Sequence, residues 1–232
     1  MQDFMETVGH KAEILIDALP YIRDFNQKMV VIEYGCSEWL DGMAEKSLMQ
    51  DIALLKSVGM KPIVVHDTQM GRDKFRENKR LAKLIELAGP KAIGVCGVDV
   101  QTLHMTLDNG YIPVIVPNDV DTETIYIDPE ETAVEVAVQM GADKLIYLSK
   151  NTGEAYGILT LGQVKDKTAE KILPEELHKQ MKLGAKALEQ GVNRIHLLDG
   201  RIKHSLLLEL FSVHGVGGAI IRDGNQLYEH ER

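Results

Sequence analysis

Residues Met29–Trp39 read MVVIEYGCSEW, and how this stretch is read decides how the rest of the chain is read. The apolar run Val30–Ile32 stops at the small-residue turn Gly35-Cys36-Ser37, and a helix-like segment follows. That is the strand-to-helix turn of an α/β protein, where backbone N–H groups commonly hold a phosphate. Yet Glu33 stands just ahead of the turn, where a phosphate binder needs Lys or Arg. The stretch therefore predicts the architecture and questions the site in the same few residues.

Working outward, the same pattern repeats. KPIVVH (61–66), KAIGVCGV (91–98), YIPVIVP (111–117), ETIYID (123–128), DKLIYLS (143–149) and RIHLLD (194–199) read as strands. Between them, 44–58, 72–87, 100–109, 129–140, 175–190 and 204–211 carry helical spacing, and Pro129 suits a first turn. The tail, GAIIRDGNQLYEH (218–230), ends in a short strand. Ahead of the first strand, Val8, Ala12, Leu15, Ile16, Leu19 and Ile22 mark an amphipathic helix over 6–26, with a break or kink at Pro20. Alternating strands and helices with apolar strands predict a parallel or mixed sheet covered on both faces. Ligands in such sheets bind beyond the C-terminal strand ends. That directs attention to 33–37, 66–70, 96–99, 117–121, 149–153 and 199–204.

Composition narrows the function classes. Of 232 residues, 44% are hydrophobic and 26% charged, which suits a globular chain of one large or two small domains. A net charge of −9 and the lack of a basic run speak against nucleic acid or an anionic membrane as partner. No apolar run reaches the roughly 20 residues of a membrane span, and the N-terminus lacks a signal-peptide pattern. Two cysteines, Cys36 and Cys96, are expected as free thiols, and a cytoplasmic location is expected. The eight histidines show no tight metal spacing, so no metal is expected, even at His196 and His204. Cys36 at a helix start would be an activated thiol, but Glu33 opposes thiolate formation.

Longer words in the sequence carry a resemblance. MQDIALLKSVGMKPIVVH (49–66), NGYIPVIVP (109–117), ADKLIYLS (142–149), GVNRIHLLDGRIKHSLLLELF (191–211) and GVGGAI (215–220) occur in order. Together they resemble the N-acetyl-L-glutamate kinases of the amino acid kinase family. The resemblance spans about residues 12–220. It implies a three-layer α/β/α sandwich with a mainly parallel central sheet and an extra N-terminal helix. It further implies an interlacing helix (1–26), an amino-acid-binding-like part (27–117) and a nucleotide-binding-like part (118–232).

The same resemblance exposes what is missing. Transfer of a phosphoryl group needs positioning and positive charge. Where the family has Lys-Tyr-Gly-Gly, this chain has Glu33, Tyr34, Gly35 and Cys36. Where the family has a glycine-rich turn after His66, this chain has Asp67, Thr68, Gln69 and Met70. Asp67 also suits an Asx turn or a cap of the next helix. The chain is shorter than the family between His66 and Asn109, and the family's substrate arginine has no recognisable match. Arg72, Arg76 and Arg80 suit a solvated helix face. The asparagines before the C-terminal-part helix are replaced, with Glu131 as a stand-in for the acid there. Lys150 occupies an aspartate's place and Gln180 a lysine's; Lys179 and Lys182 are expected to point elsewhere on the helix.

A second constellation is kept. In arginine-inhibited relatives the regulator lies beside the N-terminal helix, against the positions of His204, Glu209, Gly215 and Gly217. A carboxylate such as Glu209 suits a guanidinium, and a glycine turn suits an amino acid's ends. Core packing of Leu206–Leu208 and Phe211, with Glu209 merely exposed, accounts for the same residues.

Three functions remain open. One is a pseudokinase subunit that senses arginine or builds an assembly, with no catalytic residues and no cofactor. The second is an active, divergent acetylglutamate kinase using ATP and Mg. The third is a structural self-assembling protein. Partners expected are further copies of the chain, through the N-terminal helix and the 44–58 helix, as a hexamer or filament.

Overall fold

The computed structural model describes residues 13, 16–35, 40–67, 73–117, 128–150, 157–169, 173–212 and 215–227. The strand expected at 123–128 falls, but for Asp128, outside the described residues, as do Cys36, Thr68 and Gln69.

Helix α1 runs over 16–25, continuous through Pro20, and leads into strand β1 (Met29–Tyr34). There follow α2 (Gly42–Ser57), β2 (Lys61–His66), α3 (Lys74–Leu87), β3 (Ala92–Cys96), α4 (Val100–Asp108) and β4 (Ile112–Val116). The second half holds α5 (Pro129–Gln139), β5 (Lys144–Ser149), β6 (Gly157–Thr160), α6 (Leu161–Ala169) and α7 (Glu175–Glu189). β7 (Arg194–Asp199), α8 (Ser205–Leu210) and β8 (Gly218–Ile221) close the fold. In the tail the strand lies at its head, on GAII, and a 3-10 turn (Gly224–Gln226) follows. β6 and α6 carry too short a pattern to announce themselves in the sequence.

One eight-stranded sheet forms, in the order β3-β4-β2-β1-β5-β7-β8-β6. All pairings are parallel except β7 with β8. The alternation of side chains along β1 explains the layering. Val30, Ile32 and Tyr34 pack into a core with Phe25 and residues of α2, α3 and α8. Val31 packs on the opposite face with residues of α4, α5, α6 and α7. The result is the expected three-layer sandwich, built by burying apolar area at about 25 cal/mol per Å² on both faces.

Helix starts follow local chemistry. Asp41, Asp73, Asp99 and Asp128 each accept a hydrogen bond from the first-turn backbone of α2, α3, α4 and α5. The cap of α3 is thus Asp73, not Asp67, because the chain runs on past Asp67 before turning into the helix.

Candidate functional site

Glu33 is the penultimate residue of β1, and on the neighbouring strand β5 its register partner is Tyr147. Paired residues in a parallel ladder point to the same face, so carboxyl and phenol lie side by side. That face carries α5 and α7. Glu33 is only 2% exposed, and it forms no hydrogen bond among the described residues. Burial pushes its pKa well above the carboxylate range, and Glu130, Asp67, Glu176 and Asp128 push the same way. Tyr147 is fully buried, and its hydroxyl has no partner. Its pKa is also raised, first by burial and then by Glu130, Glu33 and Asp128.

The roof of this acidic lobe is the meeting of α5 and α7. Gln180 is buried; its Nε2 donates to Glu130 Oε1 at 2.8 Å, and its own Oε1 lacks a partner. Lys179 does not point away as its helix position suggested. Its ammonium donates to Asp128 and pairs with Glu130 at 2.7 Å. Burial works against the Lys179 ammonium, but these two carboxylates outweigh it and hold the group charged. The Glu130 carboxyl is raised by burial against the pull of Lys179 and Gln180. The inward acid of this loop is therefore Glu130, whereas Glu131 is exposed and gives only its backbone N–H to Asp128.

Other residues singled out in the sequence fall elsewhere. Gly35 is half-buried at the end of β1, and Asp67 is half-buried after β2. Lys150 is exposed, and its carbonyl accepts from Arg201 at 2.9 Å. Arg80 is partly exposed but ion-paired. It donates to Glu45 at 2.6 and 2.8 Å and to Glu77 at 2.6 and 2.9 Å, clamping α3 to α2, while the Tyr34 hydroxyl donates to Glu45 at 2.8 Å. His66 is buried and contacts Asn78 at 3.0 Å, and burial lowers its pKa.

The second constellation divides in two. His204 sits at the head of α8 with φ 60°, and its Nδ1 meets Asp51 of α2 at 2.6 Å and Ser47 at 3.2 Å. Burial lifts the Asp51 pKa to about 6 in spite of His204. Glu209 turns instead toward β7: it accepts from His196 Nδ1 at 2.8 Å and from the N–H groups of Val216 and Gly217 at 2.9 and 3.0 Å. Burial opposes the Glu209 charge, but these donors win and lower its pKa. A carboxylate only accepts, so His196 Nδ1 carries the hydrogen. The structure thus does not turn His204 and Glu209 onto a common partner. Glu209 is buried, not exposed, with a side chain 6% accessible. The glycines also have packing reasons. A Cβ on Gly215 would lie 2.4 Å from Glu209 Oε2, and one on Gly217 would lie 2.5 Å from the Leu197 carbonyl oxygen. Helix α1 docks next door, with the Phe25 ring 6.1 Å from that of Phe211 and under the buried Lys144 ammonium at 4.5 Å.

No group of three or more His, Cys, Asp or Glu among the described residues is arranged to hold a metal ion. Nor is any described helix long and apolar enough to cross a membrane. Cys96 is an exposed free thiol.

Comparison with known proteins now gives this geometry a lineage. Residues 53–197 match the model of the amino acid kinase family. The acetylglutamate kinase of Syntrophomonas wolfei is 30% identical over 280 residues, covering 92% of this chain and 98% of the relative. That of Thermoanaerobacter pseudethanolicus is 33% identical over 281 residues, covering 90% and 93%. Both alignments are longer than the 232-residue chain, so each relative carries segments with no counterpart here. Among solved structures, the N-acetylglutamate synthase of Neisseria gonorrhoeae with coenzyme A and N-acetyl-glutamate superposes with a TM-score of 0.80 at 20% identity, over 92% of this chain and 64% of that one. The carbamate kinase of Giardia lamblia bound to AMP-PNP superposes with a TM-score of 0.64 at 10% identity, over 84% and 99%. The chain belongs to the amino acid kinase family and, within it, is an acetylglutamate kinase-like protein.

Proposed function

We propose that this chain is a non-catalytic acetylglutamate kinase-like subunit, with a role in assembly and in responding to arginine. The observation that carries the reading is Glu33. An acid buried at the end of β1, facing Glu130, Asp67, Glu176 and Asp128, occupies the place where the resemblance puts a phosphate-binding lysine. A transferring phosphoryl group spreads negative charge over its oxygens, so this lobe repels what an active site must attract. At 4 Å, two like unit charges cost about 4 kcal/mol at an effective dielectric of about 20. The one ammonium shown in the lobe, that of Lys179, is engaged by two carboxylates. The other kinase lysine position is Gln180, spent on Glu130.

Assembly draws support from apolar side chains left at the surface: Ile16 and Leu19 on α1, and Met43 and Leu54 on α2. Two separate twofold contacts through α1 and α2 build a ring or filament. Arginine would act where α1, α8 and the Gly215–Gly217 turn meet, with Glu209 exchanging its bond to His196 for the guanidinium.

The test is a coupled ADP-release assay with N-acetylglutamate, ATP and magnesium. No turnover is expected, and Glu33→Lys alone should not create any, because Asp67, Glu130 and Gln180 remain. Turnover at kinase rates of roughly 1–100 s⁻¹ would return the chain to the active kinases. In light scattering, the full chain should exceed a dimer, and removal of residues 1–23 should reduce it to one. Arginine should raise the melting temperature of the full chain. A monomer unresponsive to arginine would contradict both roles.

A further inference from the structure

We propose that the C-terminal ends of β1 and β5 form a binding site for a small organic cation bearing a primary ammonium group, held by Glu33, Tyr147 and Gln180. The inference rests on the reading that this lobe no longer holds phosphate.

Three buried polar groups converge there without partners. Glu33 has a carboxyl with no hydrogen bond among the described residues. Tyr147 Oη and Gln180 Oε1 are buried and unpaired. Buried polar atoms are almost always satisfied, so unpaired atoms gathered around one acid call for a donor. Register sets Glu33 and Tyr147 side by side, and Gln180 is tied to Glu130, the acid that acts on both of them. All three groups can accept a hydrogen bond, and an ammonium has three hydrogens to give and nothing to accept.

Rival occupants fit less well. A phosphate meets Glu33, Asp67, Glu130 and Glu176. A metal ion lacks its ligand set among the described residues. A water could satisfy two of the three groups but would leave the surplus negative charge unbalanced. The lobe, moreover, already accommodates one ammonium of its own: Lys179, between Asp128 and Glu130. One ammonium offsets one of those two carboxylate charges, so the lobe keeps a surplus of acids around Glu33. Binding an ammonium would favour ionised Glu33, which burial and the neighbouring acids disfavour.

The probe is n-butylammonium, with tetramethylammonium as a cation of equal charge and no N–H. Calorimetry and thermal unfolding are run on the full chain, on Glu33→Gln and on Tyr147→Phe. Butylammonium should bind the parent at roughly 10 mM or tighter, the range expected of so small a ligand. It should also raise the melting temperature. Glu33→Gln should bind at least tenfold more weakly, and Tyr147→Phe should lose a few-fold. Glu33→Gln should fold normally, since it removes a buried acid without changing shape. No binding to the parent overturns the proposal. So does equal binding by Glu33→Gln, or an equal response to tetramethylammonium. Failure here with no phosphoryl transfer leaves the pseudokinase reading standing, whereas phosphorylation of acetylglutamate would sink that reading on its own.

Discussion

The lobe around Glu33, near the end of β1, and the turn around Glu209, on α8, each bury one glutamate side chain, and they treat it in opposite ways. Glu209 receives hydrogen bonds from His196, Val216 and Gly217, and its pKa is lowered. Glu33 receives none among the described residues, and its pKa is raised. Burial penalises the charge in both places; donors around Glu209 and neighbouring acids around Glu33 decide the difference. A carboxylate with donors is part of the framework. One without them is a cost to the fold.

Mutations can break or sharpen this contrast. Glu209→Ala should have the largest effect, about 3 kcal/mol lost in urea unfolding, because His196 and two backbone donors are stranded. It is therefore a poor probe of arginine binding. Glu209→Gln keeps the backbone acceptor, and should hold the fold while removing any arginine-induced rise in melting temperature. Next comes Gly217→Ala, at about 2 kcal/mol, because its methyl group would meet the Leu197 carbonyl oxygen at 2.5 Å. The smallest effect has the opposite sign. Glu33 binds its proton more tightly in the folded chain, so stability falls as pH rises from its unfolded pKa toward its raised folded one. Glu33→Gln removes that fall. The variant should unfold at higher temperature than the parent at about pH 8 and match it near pH 4, below the unfolded pKa. A variant no more stable than the parent at the higher pH would mean that Glu33 has a donor after all.

Much of this was legible in the chain. Apolar runs and period-3.6 spacing placed most of the helices and inner strands, and an acid at residue 33, at the end of an apolar run, was visible as a single letter. What escaped has physical causes. β6 is four residues at the sheet edge, paired only with β8, so burial leaves little pattern on it. Lys179 was misjudged because helix phase describes Cβ directions. A long side chain on the first turns of α7 leans toward the helix start and reaches Asp128 regardless. Arg80 looked like one of several surface arginines, since nothing in its own helix announces Glu45 on α2. Glu209 looked like an exposed ligand group, because its donors come from a turn seven residues on and from another strand.

The central claim is that charge inversion at Glu33 has ended phosphoryl transfer to acetylglutamate. ADP release alone can arise from ATP hydrolysis, so the most direct measurement traps the product. The chain is incubated with ATP, magnesium, N-acetylglutamate and hydroxylamine, and the hydroxamate formed from any acyl phosphate is quantified. The account predicts no hydroxamate above an enzyme-free control, in the parent and in Glu33→Lys alike. Hydroxamate accumulating with time and in proportion to the parent protein would contradict it.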